Sequence, residues 1–317
     1  FVKKLVNSPI INLQNSIKRQ KILEAVWVEY NDTKKIKAAG GLLYAVSPRG
    51  TTKWFHIGES VGVYPSGVNV DGTKSQYNNN VSSKIVALLG LNFKASKNLN
   101  LQVWDVYTDN VFNTAMLQAD LLFPQKNSSS FFAAIQFIRQ DAINLGGNTN
   151  AAKTYFEKNG RSFSFGARAG WKNKTWETSI NYNRITGHGR YLMPREWGRE
   201  PFFTFLPRER NEGFGDVHAI MARVNFNIPK AGIKTSLAAG YYKLPDVKNY
   251  RLNKYGLPSY TQANADIRYS FTGILKGFEA QLLVVWKMNA GEMYNNRRFE
   301  INKVNMLQYN FVLNFHF

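Results

Sequence analysis

The connections along this 317-residue chain alternate in length, and that alternation narrows the possible folds more than any motif does. Short turns fall at NDTK (31–34), ASKN (95–98), QKNSS (125–129), KNK (172–174), PKAG (229–232) and TGILKG (272–277). Between them lie long connections at 47–82, 142–161, 186–216, 244–260 and 288–303, with Asp109-Asn110 the one tight member of that set. Taken in order, short and long positions follow one another without a slip. The segments they join, about 22–30, 35–46, 83–94, 99–108, 111–123, 130–140, 162–172, 175–185, 217–228, 233–243, 261–271, 278–287 and 304–317, mostly alternate apolar with polar residues. A period of two is a strand with one apolar and one polar face. Thirteen such strands with turns at one rim and loops at the other predict an all-β transmembrane antiparallel β-barrel, with periplasmic turns and extracellular loops.

The placement of aromatics agrees. Phe163, Phe165, Ala167, Ala169 and Trp171 share one face, as do Phe278, Ala280, Leu282, Val284 and Trp286. Each face is aromatic at its ends and aliphatic between, the profile of a strand crossing hydrocarbon between two aromatic girdles. The competing reading, a soluble β-sandwich, scatters aromatics along the buried face and does not require the alternation of connections. No linker divides the sequence, so residues 1–317 are expected to form a single domain, and no run approaches the roughly 20 apolar residues of a spanning helix.

The last strand, LQYNFVLNFHF, descends from the 288–303 connection and places Phe317 at the turn side. It has the alternation and terminal aromatic of an outer-membrane assembly signal, which makes the barrel-assembly machinery an expected partner. By the same ordering, strand 22–30 descends from the loop side, so the thirteen strands enter outside and leave inside. Bacterial single-chain barrels have even counts. The odd count predicts strands upstream of this sequence or one within 1–21, and the opening residue Phe1 fits a processed chain or a fragment.

Forty-one Lys and Arg oppose 21 Asp and Glu, a net charge of +20. In a soluble protein this balance points to nucleic acid, but the basic residues are scattered and carry no RNP, helix-turn-helix or zinc-finger signature. Zero cysteines excludes disulfides and thiolate chemistry, and the four histidines lie apart. No catalytic set, metal or cofactor is expected. NVDGTKSQYNNN (69–80) faintly has the spacing of a calcium loop through Asn69, Asp71 and Thr73, but it lacks the closing bidentate acid and reads first as an Asx turn.

The stretch WFHIGESVGVYPSGVN (54–69), the loop RYLMPREWGREPFFTFLPRERNEGFGD (190–216) and the closing strand together resemble the OprD family of substrate-specific bacterial porins. The resemblance spans about residues 20–317. It implies a monomeric eighteen-stranded barrel of which this chain carries the later strands. It also implies inward-folded loops that narrow the bore and a ladder of basic residues leading small carboxylate-bearing solutes through the outer membrane. The alternative is an adhesion or scaffold barrel with a closed lumen.

Strand parity sets Lys35, Lys37, Arg168, Arg223, Lys234, Arg268 and Lys287 facing the lumen, with Asp120, Glu177, Asp266 and Glu279. Arg168, Arg223 and Arg268 lie on descending strands four to six residues above their turns, which predicts a guanidinium row for anions or, alternatively, pairing with Glu177, Asp266 or Glu279. In the long loop Arg190, Arg195, Arg199, Arg208 and Arg210 interleave with Glu196, Glu200, Glu209 and Glu212. The expectation is a constriction element held by its own ion pairs, packed on the wall by Trp197, Phe202 and Phe203. Gly58, Gly62 and Gly67 are expected to let backbone approach the lumen or to permit turns.

Overall fold

A computed structural model describes residues 2–4, 8–11, 22–32 and 35–315. Its strands are β1 (Val2–Lys4), β2 (Ile22–Asn31), β3 (Ile36–Ser47), β4 (Phe55–His56), β5 (Val86–Lys94), β6 (Leu99–Thr108), β7 (Phe112–Pro124) and β8 (Ser130–Ala142). They continue as β9 (Arg161–Lys172), β10 (Trp176–Ile185), β11 (Val217–Ile228), β12 (Ile233–Lys243), β13 (Tyr260–Ser270), β14 (Phe278–Asn289) and β15 (Met306–Phe315). A single helical turn, α1 (Ile57–Ser60), follows β4. The thirteen long strands are the thirteen expected, with ends shifted by a few residues. Two short strands join them: β4 pairs with the loop end of β3, and β1, within the 1–21 stretch, pairs with Leu23–Ala25 of β2.

All neighbours are antiparallel, and the 15-stranded sheet runs from β1 to β15 in chain order with only β4 off the path. Such a meander puts every hairpin turn on one rim and every long connection on the other, as the spacing required. At the turn rim, the Asn173 side chain accepts from the backbone N–H groups of Thr175 and Trp176, and Gly232 ends the PKAG turn with φ +69°. Residues 33–34 of the first turn, together with His316 and Phe317, lie outside the described residues.

Exposure separates a barrel wall from a sandwich. Ile135, Ile180 and Phe311 are 67%, 63% and 71% exposed, whereas Gln136, Gln140, Asn181 and Asn183 are at most 4% exposed. On these strands large apolar side chains face outward and buried polar side chains face inward, where a soluble sandwich would bury its apolar face. Burying a large apolar side chain is worth about 1.5–3 kcal/mol, so a wall that leaves dozens exposed is matched to hydrocarbon.

The buried core sits inside the wall, among the loops. Ile10, Ile57, Val61, Tyr77, Phe112, Phe156, Trp197, Phe214 and Val304 belong to one cluster. It joins residues 8–11, the 57–81 segment and the later loops to the inner face. Trp197 stacks on Phe112 of β7 at 6.3 Å and Phe203 lies under Arg168 of β9, which sets these two loop aromatics on the wall, whereas Phe202 packs on Tyr191 of the same loop at 4.9 Å. Gly67 illustrates the tightness: it has φ +71°, and a Cβ there would meet the Lys254 carbonyl oxygen.

Candidate functional site

The connection between β10 and β11 folds back along the inner face of the sheet, and inward-facing side chains hold it by its backbone. On β8, Gln140 Nε2 donates to the Leu192 carbonyl (2.7 Å), Leu192 N–H donates back to Gln140 Oε1 (2.9 Å), and Gln136 Nε2 donates to the Pro201 carbonyl (3.1 Å). On β11 and β12, Arg223 Nη2 donates to the Phe205 carbonyl (2.7 Å) and the Tyr242 hydroxyl to the Thr204 carbonyl (2.8 Å). On β13, Gln262 and Asn264 both donate to the Pro207 carbonyl, at 2.8 and 3.0 Å. These donors occupy the inward parity of their strands and supply the loop carbonyls with hydrogen-bond partners.

The charged residues of the loop do not hold it mainly through ion pairs with one another, which corrects the expectation. Arg195 with Glu212, at 3.8 Å, is the one such pair among the described residues. Glu196 accepts from the backbone N–H groups of Gly62 (3.1 Å) and Tyr64 (2.9 Å), tying this loop to the 57–81 segment. Arg190 donates to the carbonyls of Val68, Asn69 and Tyr250. Glu200 accepts from Asn211 N–H at 2.9 Å. Arg199 lies over the Phe205 ring (4.3 Å) and Arg210 over Tyr255 (4.5 Å). A buried charge satisfied by backbone dipoles or an aromatic face needs no second buried charge, and that is the arrangement here.

Burial shifts these groups. It pushes the Glu200 carboxyl up to about 7 and holds Glu209 well above the usual carboxylate range, the neighbouring Glu200 charge adding to the effect. Arg190 is brought down to about 10 by burial, and Arg199 and Arg208 are lowered for the same reason.

The three wall arginines face inward as parity requires, with different partners. Arg168 meets Asp120 at 3.0 Å, not Glu177, and lies over the Phe203 ring at 4.8 Å. Arg268 meets Asp266 at 3.2 Å and Glu279 at 3.9 Å. Arg223 contacts no carboxylate within ion-pair distance among the described residues. With Arg168 over the Phe203 ring, Arg199 over the Phe205 ring and Arg223 on the Phe205 carbonyl, three guanidiniums gather around loop residues 203–205. The Nε–H groups of Arg168 and Arg223 are buried without a partner. Toward the turn rim, Lys234 stands directly across from Arg268, and Lys35 and Lys37 are exposed near the start of β3. Lys287 is buried over the Tyr260 ring at 3.7 Å rather than open to the bore.

The wall donors Gln136, Gln140, Tyr242, Gln262 and Asn264 escaped sequence reasoning, although their inward parity was readable. Lys254, fully buried in the 244–259 loop, gives no such signal. Asp71 accepts from both the N–H and the hydroxyl of Thr73 (2.9 and 2.7 Å), which is an Asx turn, and no cluster of three or more metal-ligating acids or histidines occurs among the described residues.

No protein-family model matches the sequence, and no curated protein matches it. Solved structures do resemble the fold. Acinetobacter baumannii OccAB2 aligns with a TM-score of 0.73 at 13% identity, covering 99% of this chain and 72% of its own. Pseudomonas aeruginosa OccK3 (OpdO) aligns at 0.68 and 11%, covering 90% and 69%, and OccK5 (OpdH) at 0.66 and 11%, covering 90% and 71%. The resemblance to OprD-family barrels read from the loop and strand sequences holds at the level of the fold.

Proposed function

We propose that the chain forms a passive diffusion channel of the bacterial outer membrane, admitting small hydrophilic solutes through a bore narrowed by the 186–216 loop. One observation carries this reading: an apolar-outside, polar-inside wall holds a long loop within it by hydrogen bonds from side chains that face no lipid. OprD-family folds at 11–14% identity support the same setting. The loop acts as the constriction, Arg168, Arg199 and Arg223 form a positive collar around residues 203–205, and Arg195, Arg208 and Arg210 stiffen it. Arg268, Lys234, Lys35 and Lys37 continue the positive path to the turn rim. Anionic, carboxylate-bearing solutes are then favoured, because guanidinium donates two parallel hydrogen bonds to a carboxylate and stays charged. No energy source or cofactor is needed for passage. The closing strand is the contact for the assembly machinery, and the channel works as a monomer.

A second reading, a barrel closed to solutes that serves adhesion or scaffolding, draws on a different observation. Residues 8–11 are packed among the loops, Ile10 and Ile11 are fully buried, and the Ile10 carbonyl accepts from Arg199 N–H at 2.7 Å. Planar-bilayer recording of the purified protein decides between the two. Discrete current steps with reversal potentials displaced toward the anion support the channel, and an intact inserted barrel without current favours the closed one.

A further inference from the structure

We propose that the outer surface over β10–β13 binds one anionic, phosphate-bearing lipid of the leaflet on the loop side. The inference rests on the membrane setting proposed above. Three outward-facing basic residues stand side by side at the loop ends of neighbouring strands: Arg184 on β10 is in register with His218 on β11, which is in register with Lys243 on β12. Arg184 is tied to Asp216 at 2.6 Å and to the carbonyls of Ile185 and Val217, so its position is fixed and part of its charge is offset. His218 is exposed and oriented by the Tyr182 hydroxyl at 2.8 Å. Lys243 is exposed and has no ion pair among the described residues. Farther along the same rim Arg161, also exposed, stands across from Asp141, which pairs with Arg139 at 2.6 Å. The balance of this outer rim is therefore positive.

Below that row the wall is hollowed. Ala222, Ala239 and Ala263 lie in register on β11, β12 and β13, and the row ends at Trp286 of β14. Larger residues border it: Ile220, Tyr241 and Met288 on the loop side, Val224, Leu237 and Val284 on the turn side. The result is an apolar groove of about 670 Å³ on the outward face. From His218 to Ala222 the strand advances four residues, roughly 13 Å at about 3.3 Å per residue. A lipid phosphate at the basic row therefore sets the upper part of an acyl chain against the alanines. A second barrel could also cover an apolar groove, but it would gain nothing from the positive row above it. A zwitterionic lipid would gain less than an anionic one, since Lys and Arg near the membrane surface attract an anionic headgroup.

The test is native mass spectrometry of the purified protein in detergent, supplied with phosphatidylglycerol or with phosphatidylcholine of identical acyl chains. One phosphatidylglycerol is expected to be retained several-fold over phosphatidylcholine. His218→Gln with Lys243→Gln is expected to abolish the preference, and Ala239→Leu to reduce retention of both lipids. Single-channel current should be unchanged in these variants, because the altered side chains face away from the bore. Equal retention of the two lipids by the unaltered protein, or an undiminished preference in the double variant, overturns the inference. Selective retention by a barrel that passes no current supports it while removing the channel reading.

Discussion

Gln140 and Leu192 are bound to each other twice, side-chain amide to carbonyl and backbone N–H to side-chain oxygen, at the point where the long loop first meets the wall. Both are buried, so substituting Gln140 by Leu leaves two backbone groups unsatisfied, at about 1–3 kcal/mol each. The expected outcome is a loosened loop in an intact barrel. Protease cleavage within 195–210 should accelerate and current noise should rise, while the heat-shifted mobility of the barrel in a gel is kept.

Arg223 is expected to dominate selectivity among the wall arginines, since Arg168 and Arg268 already face carboxylates. Arg223→Gln should lower the anion-to-cation permeability ratio several-fold at 0.1 M salt and much less at 1 M, as the screening length falls from about 10 to 3 Å. Asp120→Asn should act oppositely by freeing Arg168. Reversal potentials under a salt gradient read both, and an unchanged ratio in Arg223→Gln would remove the positive collar from the mechanism.

Lys254 gives a pH dependence. Its Nζ lies 4.7 Å over the Tyr77 ring and 4.6 Å over Tyr155, buried without a hydrogen-bond partner. Burial brings it from 10.5 down to about 7, with the nearby Glu212 opposing the shift. Between those values the unfolded chain binds more protons than the folded one, so stability rises with pH across that window and is lost progressively as pH falls from 10.5, the loss complete at about 7. The gain is on the order of a few kcal/mol. Lys254→Met should remove this rise and stabilise the loops near pH 6, measured as the difference in thermal midpoint between the two proteins from pH 6 to 10.

Topology can be checked with single cysteines. Lys174 lies exposed in a turn and Thr149 exposed in a loop. On intact cells a membrane-impermeant thiol reagent should label Thr149→Cys and spare Lys174→Cys. The reverse pattern would invert the barrel.

Strand order, face and rim were legible in the sequence because lipid and bore impose a period of two that no residue in between can break. Phe163, Phe165, Ala167, Ala169 and Trp171 fall on the expected face, opposite Ser164, Gly166 and Arg168, for that reason. The loop was harder to read. Its composition, with Arg and Glu interleaved, suggests ion pairs. The fold instead buries most of these groups against backbone dipoles and rings, as at Glu196 with Gly62 and Tyr64. Such partners lie more than a hundred residues away and have no side-chain signature. Arg168 is a different case: its acid is Asp120, 48 residues away and two strands over, rather than the sequence-suggested Glu177.

The wall grips its loop almost wholly by carbonyl oxygens, at Leu192, Pro201, Thr204, Phe205 and Pro207. A carbonyl is present whatever side chain its residue bears. Side chains at 201–207 can therefore change without removing these particular hydrogen bonds, so long as Gln136, Arg223, Tyr242, Gln262 and Asn264 stay fixed. Heritable freedom in the loop and rigidity in the barrel are separated at the atomic level, by which partner contributes backbone and which contributes side chain.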